Sequence, residues 1–242
     1  MTEALPRLLL VEDDAVSRQF LVEALRALPA EVDAAQSIEQ ACALATRHAY
    51  ALWLVDAHLT DGEGIECLAR LRVFDATTPA VAITAERWRH ECDRLEAGGF
   101  VEILQKPIAM RSLQGNVRRL IGLAPQAIAD ASMPLCGKRP VWDEERAMTA
   151  MAGKRAAWLA LGRLFLDELP SQCEQLRRAR EIGDIASMSG LLHRLTASSG
   201  FVGAARIGEA VRALVQSPLD AHRWQVFEHA VEDTLATPLP QS

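Results

Sequence analysis

Residues 51–68 read ALWLVDAHLTDGEGIECL. The run Ala51–Val55 is apolar throughout, too short for a helix, and followed by a helix-length amphipathic segment, which is the pattern of a strand buried on both faces. Asp56 follows at once. In a parallel α/β sheet, ligand sites form beyond the carboxyl ends of the strands, so an acid directly after such a run is a candidate for chemistry. Outward from this stretch the same rhythm repeats. Short apolar runs at Arg7–Val11, Val32–Ala35, Ala80–Thr84 and Phe100–Leu104 each precede a helix-length segment, and Gly98-Gly99 is placed to end the fourth helix. The pattern predicts a five-stranded, parallel, doubly wound α/β domain over residues 1–122.

The residues after each run carry the site. The first run ends in Glu12, Asp13 and Asp14, the third in Asp56, the fourth in Thr84 and the fifth in Lys106-Pro107. Each has an ordinary reading when taken alone: acids cap helices, a lysine is solvated, a threonine ends a strand. Together they place carboxylates at one point, where they repel one another unless a cation is bound. Oxygen-only ligands suit a hard ion such as Mg²⁺. A lysine ammonium and a threonine hydroxyl beside that ion could both meet phosphoryl oxygens.

These motifs, LLLVEDDAVSR, LVDAHLTDGEGIECL, AITA and LQKPI, resemble the receiver domain of two-component response regulators, over residues 7 to about 122. The resemblance implies a flavodoxin-like fold and an aspartyl phosphoacceptor at Asp56. It also implies Mg²⁺ ligation by Glu12, Asp13, Asp56 and the backbone carbonyl of His58, with Asp14 a weaker third acid and Lys106 and Thr84 contacting the phosphoryl group. Two positions depart from the family pattern. Thr60 stands where proline is usual, which is expected to alter loop stiffness. Ile103 replaces the usual aromatic, so an aromatic-based conformational output is not expected.

Between Leu123 and Val141 the periodicity lapses, and Pro125, Pro134, Gly137 and Pro140 break any regular element, so residues 123–140 read as a linker. Beyond it, residues 141–242 read as helices only, with breaks expected near Leu169-Pro170, Gly183-Asp184, Gly200–Gly203 and Ser217-Pro218. A small helical bundle follows. In LLHRLTASSGFVGAA, the stripe Ile185, Met188, Leu192, Leu195 and Ser199 should pack inward, and His193 lies just off it. Its helical neighbours Ser189, Gly190, Thr196 and Ala197 are small, which predicts an accessible imidazole. A glycine inside a helix costs about 1 kcal/mol, so Gly190 suggests close approach of another surface.

This half resembles the histidine phosphotransfer (HPt) domain, a four-helix bundle whose pattern is His-x-Leu-Lys-Gly-Ser followed by Gly-Ala. His193, Leu195, Ser198 and Gly203-Ala204 stand in register, while Thr196 replaces Lys and Ala197 replaces Gly. The resemblance implies that His193 carries a phosphoryl group; Arg194 could partly supply the missing charge.

The 242 residues carry 26 Lys and Arg against 32 Asp and Glu, a net charge of −6, so a nucleic-acid surface is not expected. Five cysteines without C-x-x-C spacing read as reduced thiols. The opening MTEALPRLLLVEDD lacks a basic leader and no apolar stretch approaches ~20 residues, so a cytoplasmic protein without a membrane segment is expected. Without a Gly-rich nucleotide loop, phosphate must arrive from a partner. The resulting expectation is a phosphorelay protein served by a histidine kinase or other phosphohistidine donor and by a partner receiver domain. The alternative is a receiver that controls a helical binding module whose histidine is unused.

Overall fold

The computed structural model describes residues 5–85, 89–123 and 140–240. The chain divides into two compact units, residues 1–128 and 129–242. Of the expected linker, Pro125, Pro134 and Gly137 lie outside the described residues, as does Cys136.

The first unit alternates strands and helices: β1 (Arg7–Val11), α1 (Ala15–Leu25), β2 (Glu31–Ala35), α2 (Ile38–Ala45), β3 (Leu52–Asp56), β4 (His58–Leu59), β5 (Gly62–Glu63), α3 (Gly64–Leu71), β6 (Ala80–Thr84), α4 (Arg89–Ala97), β7 (Glu102–Gln105) and α5 (Met110–Leu120). The main sheet has five parallel strands in the order β2-β1-β3-β6-β7. Leu8, Leu9, Leu10 and Val11 are all fully buried, because helices cover both faces of the sheet. Leu9, Val11, Trp53 and Val55 join one core cluster with α2 and α3, and the alternating residues face the other way, where α1 packs on α5. The strand order reverses between β1 and β3, which opens a crevice at their carboxyl ends.

Two details differ from the sequence reading. The last strand begins at Glu102, not Phe100: Gly99 turns the chain with φ +101° and Val101 then donates to Ala80, so pairing starts two residues later. After β3 the chain forms a two-stranded antiparallel hairpin, β4-β5, before α3 begins. The hairpin is two residues a side, below the length at which alternation is readable.

The second unit holds α6 (Glu144–Ala150), α7 (Arg155–Glu181), α8 (Ile185–Val202), α9 (Ala205–Gln216) and α10 (Ala221–Ala236). The four longer helices pack in sequence, α7 on α8, α8 on α9 and α9 on α10. The expected break at Leu169-Pro170 is absent, and α7 runs through it. Pro170 cannot donate to Leu166 and costs about 3 kcal/mol in a helix interior. Phe165, Leu169 and Leu176 are buried on the opposite face at roughly 2 kcal/mol each, while Pro170 itself is exposed, so packing outweighs the lost bond. Ile185 is also not on the inward stripe: it is 46% exposed, while Met188, Leu192, Leu195 and Ser199 are buried. It is the first residue of α8, at the helix end.

The break after α8 has two causes at one residue. Gly203 is left-handed, with φ +71°, and a Cβ built on it would lie 2.5 Å from the Asp143 carbonyl oxygen and 2.9 Å from the Ala147 Cβ. The Asp143 N–H donates to the Gly203 carbonyl, and the Trp158 indole donates to the Val202 carbonyl at 2.8 Å, so the carbonyls at this helix end are satisfied. Gly183 has the same φ with open space around it. Gly203→Ala is therefore expected to destabilise the bundle by about 2–4 kcal/mol, and Gly183→Ala by only about 1 kcal/mol. Urea unfolding followed by helical circular dichroism checks the difference.

Candidate functional site

Glu12, Asp13, Asp56, Thr84 and Lys106 all stand at the carboxyl ends of β1, β3, β6 and β7. Glu12 is fully buried, and Asp56, Thr84 and Lys106 are each at most 6% exposed. The Lys106 ammonium donates to Glu12 Oε2 at 2.5 Å and to Asp56 Oδ2 at 2.6 Å. Its own N–H donates to the Thr84 carbonyl at 2.7 Å, which extends the β6-β7 ladder to the site. Thr84 follows Ile83, the residue in register with Asp56.

Local structure explains why these side chains converge. The Glu12 N–H donates to the Ala35 carbonyl, so β1 stays extended for one residue past its last sheet position. Asp14 then turns the chain. Its carboxylate accepts from the Ser17 N–H at 2.7 Å and caps α1, so it is not among the acids whose oxygens converge, although its charge still helps to raise the Glu12 pKa. Arg18, one turn into α1, donates from Nη1 to the carbonyls of both Glu12 and Asp13, at 2.9 and 2.8 Å. The Asp13 carboxylate accepts from the Thr60 N–H at 3.0 Å. On the other side, the His58 N–H donates to Asp56 Oδ1 at 3.1 Å.

Three contributors went unread in the sequence. Arg18 lies inside the quoted acidic motif, but nothing in its spacing says that it binds backbone. The Thr60 contribution comes from its backbone, which leaves no side-chain signature. Gly64 is required because a Cβ there would sit 2.5 Å from the Asp56 carbonyl oxygen; the Asp-Gly-Glu-Gly run after the strand was the available signal.

Single carboxylate oxygens of Glu12, Asp13 and Asp56 lie within 4.8 Å of one another. Three carboxylates against one ammonium leave excess negative charge in a buried place. Burial pushes the Glu12 carboxyl well above the usual carboxylate range, Asp56 adds to the shift and Lys106 opposes it. Burial works against the Lys106 charge, yet Asp56 and Glu12 outweigh it and hold the lysine protonated, with its pKa raised. Glu12 Oε1 is buried with no hydrogen-bond partner. An orphaned carboxylate oxygen in an all-oxygen donor set with uncompensated negative charge fits a hard divalent cation such as Mg²⁺.

In the second unit, His193 is half-buried on α8. Ser189 is exposed, and a Cβ on Gly190 would meet nothing within 4 Å, so no part of this chain's described residues approaches that glycine. Ala197, four residues after His193, is buried. The Thr196 hydroxyl donates to the Leu192 carbonyl at 2.8 Å, and Ser198 donates to the Arg194 carbonyl at 2.9 Å. Both hydroxyl protons are thus engaged within the helix. Asp184 caps α8 by accepting from the Ser187 N–H and hydroxyl, which holds its carboxyl below the usual range. His222 and His229 are exposed on α10.

The first unit is a doubly wound α/β domain with an acid-lined crevice and a buried lysine at the switch point of its five-stranded parallel sheet, and the second is an α-helical bundle with His193 on a face of small residues. Residues 8–118 match the response regulator receiver domain and residues 161–237 match the Hpt domain, so the chain carries both a receiver domain and an Hpt domain. It is 32% identical over 127 residues to the virulence transcriptional regulatory protein PhoP of Salmonella typhimurium, covering 50% of this chain and 56% of that protein. The chain thus spans about half the length of that relative. The sensor histidine kinase AruS of Pseudomonas aeruginosa is 28% identical over 217 residues, which cover 88% of this chain and 21% of the kinase. Among solved structures, the chemotaxis protein CheY4 of Vibrio cholerae is 24% identical with a TM-score of 0.46, covering 48% of this chain and 99% of its own. The receiver domain of a sensor histidine kinase from Pseudomonas aeruginosa PAO1, solved with a magnesium ion in its active-site cleft, is 28% identical with a TM-score of 0.46, covering 49% of this chain and 99% of its own. Among the described residues, no helix is long and apolar enough to cross a membrane.

The raised Glu12 pKa makes a signed prediction. A carboxyl whose folded-state pKa is raised adds stability below the unfolded-state value and loses it as pH rises through the folded-state value. Glu12→Gln is therefore expected to stabilise the metal-free receiver at pH 7 relative to the parent, with the gain vanishing below pH 4.5. Urea unfolding in EDTA at both pH values checks it.

Proposed function

We propose that this chain is a two-component phosphorelay protein, in which Asp56 takes a phosphoryl group from the phosphohistidine of a partner kinase or other donor, and His193 exchanges one with a receiver domain. The observation that carries the reading is the Lys106 ammonium, which bridges Glu12 and Asp56 in the acidic crevice. An Asp56 oxygen attacks phosphorus, the N–P bond of the donor breaks, and the imidazole leaves with its electron pair. Lys106 is already charged and within hydrogen-bond distance of the nucleophile, so it can follow the phosphoryl oxygens without a proton transfer. The Thr84 hydroxyl is assigned the role of contacting a phosphoryl oxygen. Mg²⁺ held by Glu12, Asp13, Asp56 and the His58 carbonyl would offset the charge of the transferring group.

His193 sits among small residues on a helix face that leaves room for a docking domain, which supports its use as the second acceptor. Exchange with a receiver there makes an N–P bond and breaks the acyl phosphate O–P bond, or the reverse. Neither half carries a Gly-rich nucleotide loop, which supports a phosphohistidine donor outside these two domains.

Incubation of the full chain with phosphorylated candidate kinases, followed by separate quantification of acid-labile and base-labile phosphate, tests the assignment. Asp56→Asn should abolish base-labile, Mg²⁺-dependent label, and His193→Gln should abolish acid-labile label with a stability change of about 1 kcal/mol or less. Normal base-labile labelling of folded Asp56→Asn would sink the receiver assignment. A folded His193→Gln chain that exchanges phosphate with receivers at the original rate would instead favour a binding-module role for the bundle.

The transfer rate through His193 carries a further expectation. Thr196 contributes neither a positive charge nor a spare hydroxyl proton, because that proton is donated to Leu192. Thr196→Lys should accelerate exchange with a fixed receiver several-fold, since one screened charge contact is worth about 1 kcal/mol. Rapid-quench kinetics decide the matter, and an unchanged rate would mean that local charge does not limit this histidine.

A further inference from the structure

The departure at residue 60 has a chemical consequence beyond loop stiffness. The Thr60 N–H donates to Asp13 Oδ2 at 3.0 Å, across 47 positions of sequence. A proline at this position could not make that bond, because it has no N–H. Both ends of the contact are held. On the Thr60 side, the β4-β5 hairpin is fixed by its own pairing, by burial of Leu59, and by the Ile38 N–H donating to the Asp61 carboxylate at 2.8 Å. On the other side, Arg18 grips the Asp13 carbonyl. With both ends held, the amide fixes the rotation of the Asp13 carboxylate, one oxygen of which lies within 4.8 Å of oxygens of Glu12 and Asp56.

We propose that Thr60 is a positioning residue for Mg²⁺, acting through its backbone N–H on the Asp13 carboxylate. The inference rests on the cation reading of the acidic site. Hydrogen-bonded partners of a ligating carboxylate orient it, and their loss typically lowers metal affinity ten- to a hundredfold. The Thr60 side chain has no part in this; the operative group is the amide. Receivers with proline at this place lack the contact, so the acidic loop of this chain has an anchor that the usual pattern does not provide.

The experiment is Mg²⁺ titration of the full chain by isothermal calorimetry, with Thr60→Pro and Thr60→Ala, and hydrogen exchange at the residue 60 amide. Thr60→Pro should weaken Mg²⁺ binding about tenfold. Thr60→Ala keeps the N–H and should bind within about twofold of the parent. The Thr60 amide lies on an exposed residue, so its exchange should be slowed in the parent and fast in Asp13→Ala. Equal Mg²⁺ affinity in folded Thr60→Pro and parent overturns this inference and leaves the cation reading standing. A parent chain that binds no Mg²⁺ overturns both. If Thr60→Pro does not fold, the exchange measurement decides, and an amide that exchanges equally fast with and without the Asp13 carboxylate overturns the proposal.

Discussion

The receiver unit depends on one buried ammonium. Lys106 Nζ lies 2.5 Å from Glu12 and 2.6 Å from Asp56, with all three residues at most 6% exposed. Without it, two adjacent carboxylates would share a dry site, and breaking a buried pair from one side typically costs about 3–5 kcal/mol. The lysine reaches them because β7 pairs beside β6 and the Lys106 N–H continues that ladder to the Thr84 carbonyl. The acids reach it because β1 and β3 are neighbours at the point where the strand order reverses. Sheet topology therefore sets the electrostatics of the site. The same lysine does not neutralise the site: burial, with Asp56 beside it, keeps the Glu12 pKa raised against the opposing ammonium, and Glu12 Oε1 has no hydrogen-bond partner.

The bundle uses a different economy of structure. One face of α8 is fully committed to packing through Met188, Leu192 and Leu195, and its end is closed by Gly203 against Asp143 and by the Trp158 indole on Val202. The opposite face carries Ser189, Gly190, His193 and Thr196, none of them fully buried. A rigid inner face allows an outer face of small residues, because the helix does not rely on those residues for stability. Gly190 illustrates this. Its intrinsic cost of about 1 kcal/mol in a helix is affordable only where packing on the far side supplies more.

The strands, their order of appearance and the residues at their ends were legible because fully buried parallel strands write themselves as apolar runs, and the acids, Thr84 and Lys106 follow those runs directly. What escaped the sequence shares one property: it depends on backbone groups or on distant contacts. The β4-β5 hairpin is too short to show a period. The Thr60 amide has no side-chain signal, and Arg18 looks like any surface arginine until its guanidinium is seen on two carbonyls. In the bundle, proline chemistry pointed to a break at Pro170, but tertiary burial on the far face of α7 overrode it. Ile185 fitted the inward stripe by spacing alone and failed because it stands at the helix end, where it is exposed.

The two proposed acceptor sites meet the same charge in opposite ways. At Asp56, the Lys106 ammonium is held in a buried crevice before any phosphoryl group arrives, so its electrostatic effect is large and costs no reorganisation. At His193 the hydroxyls of Thr196 and Ser198 already donate to helix carbonyls, and the surface is open to water, which screens whatever charge Arg194 offers. During transfer between a histidine and an aspartate, one phosphoryl group lies between both sites at once. On the proposed reading the lysine of the receiver, with Mg²⁺ where the acids hold it, would serve the whole transition state, and the histidine side need only present an imidazole without obstruction. On that argument the change to Thr196 is tolerable, whereas loss of charge at Lys106 would not be, because water screens the charge that Arg194 offers on the histidine side.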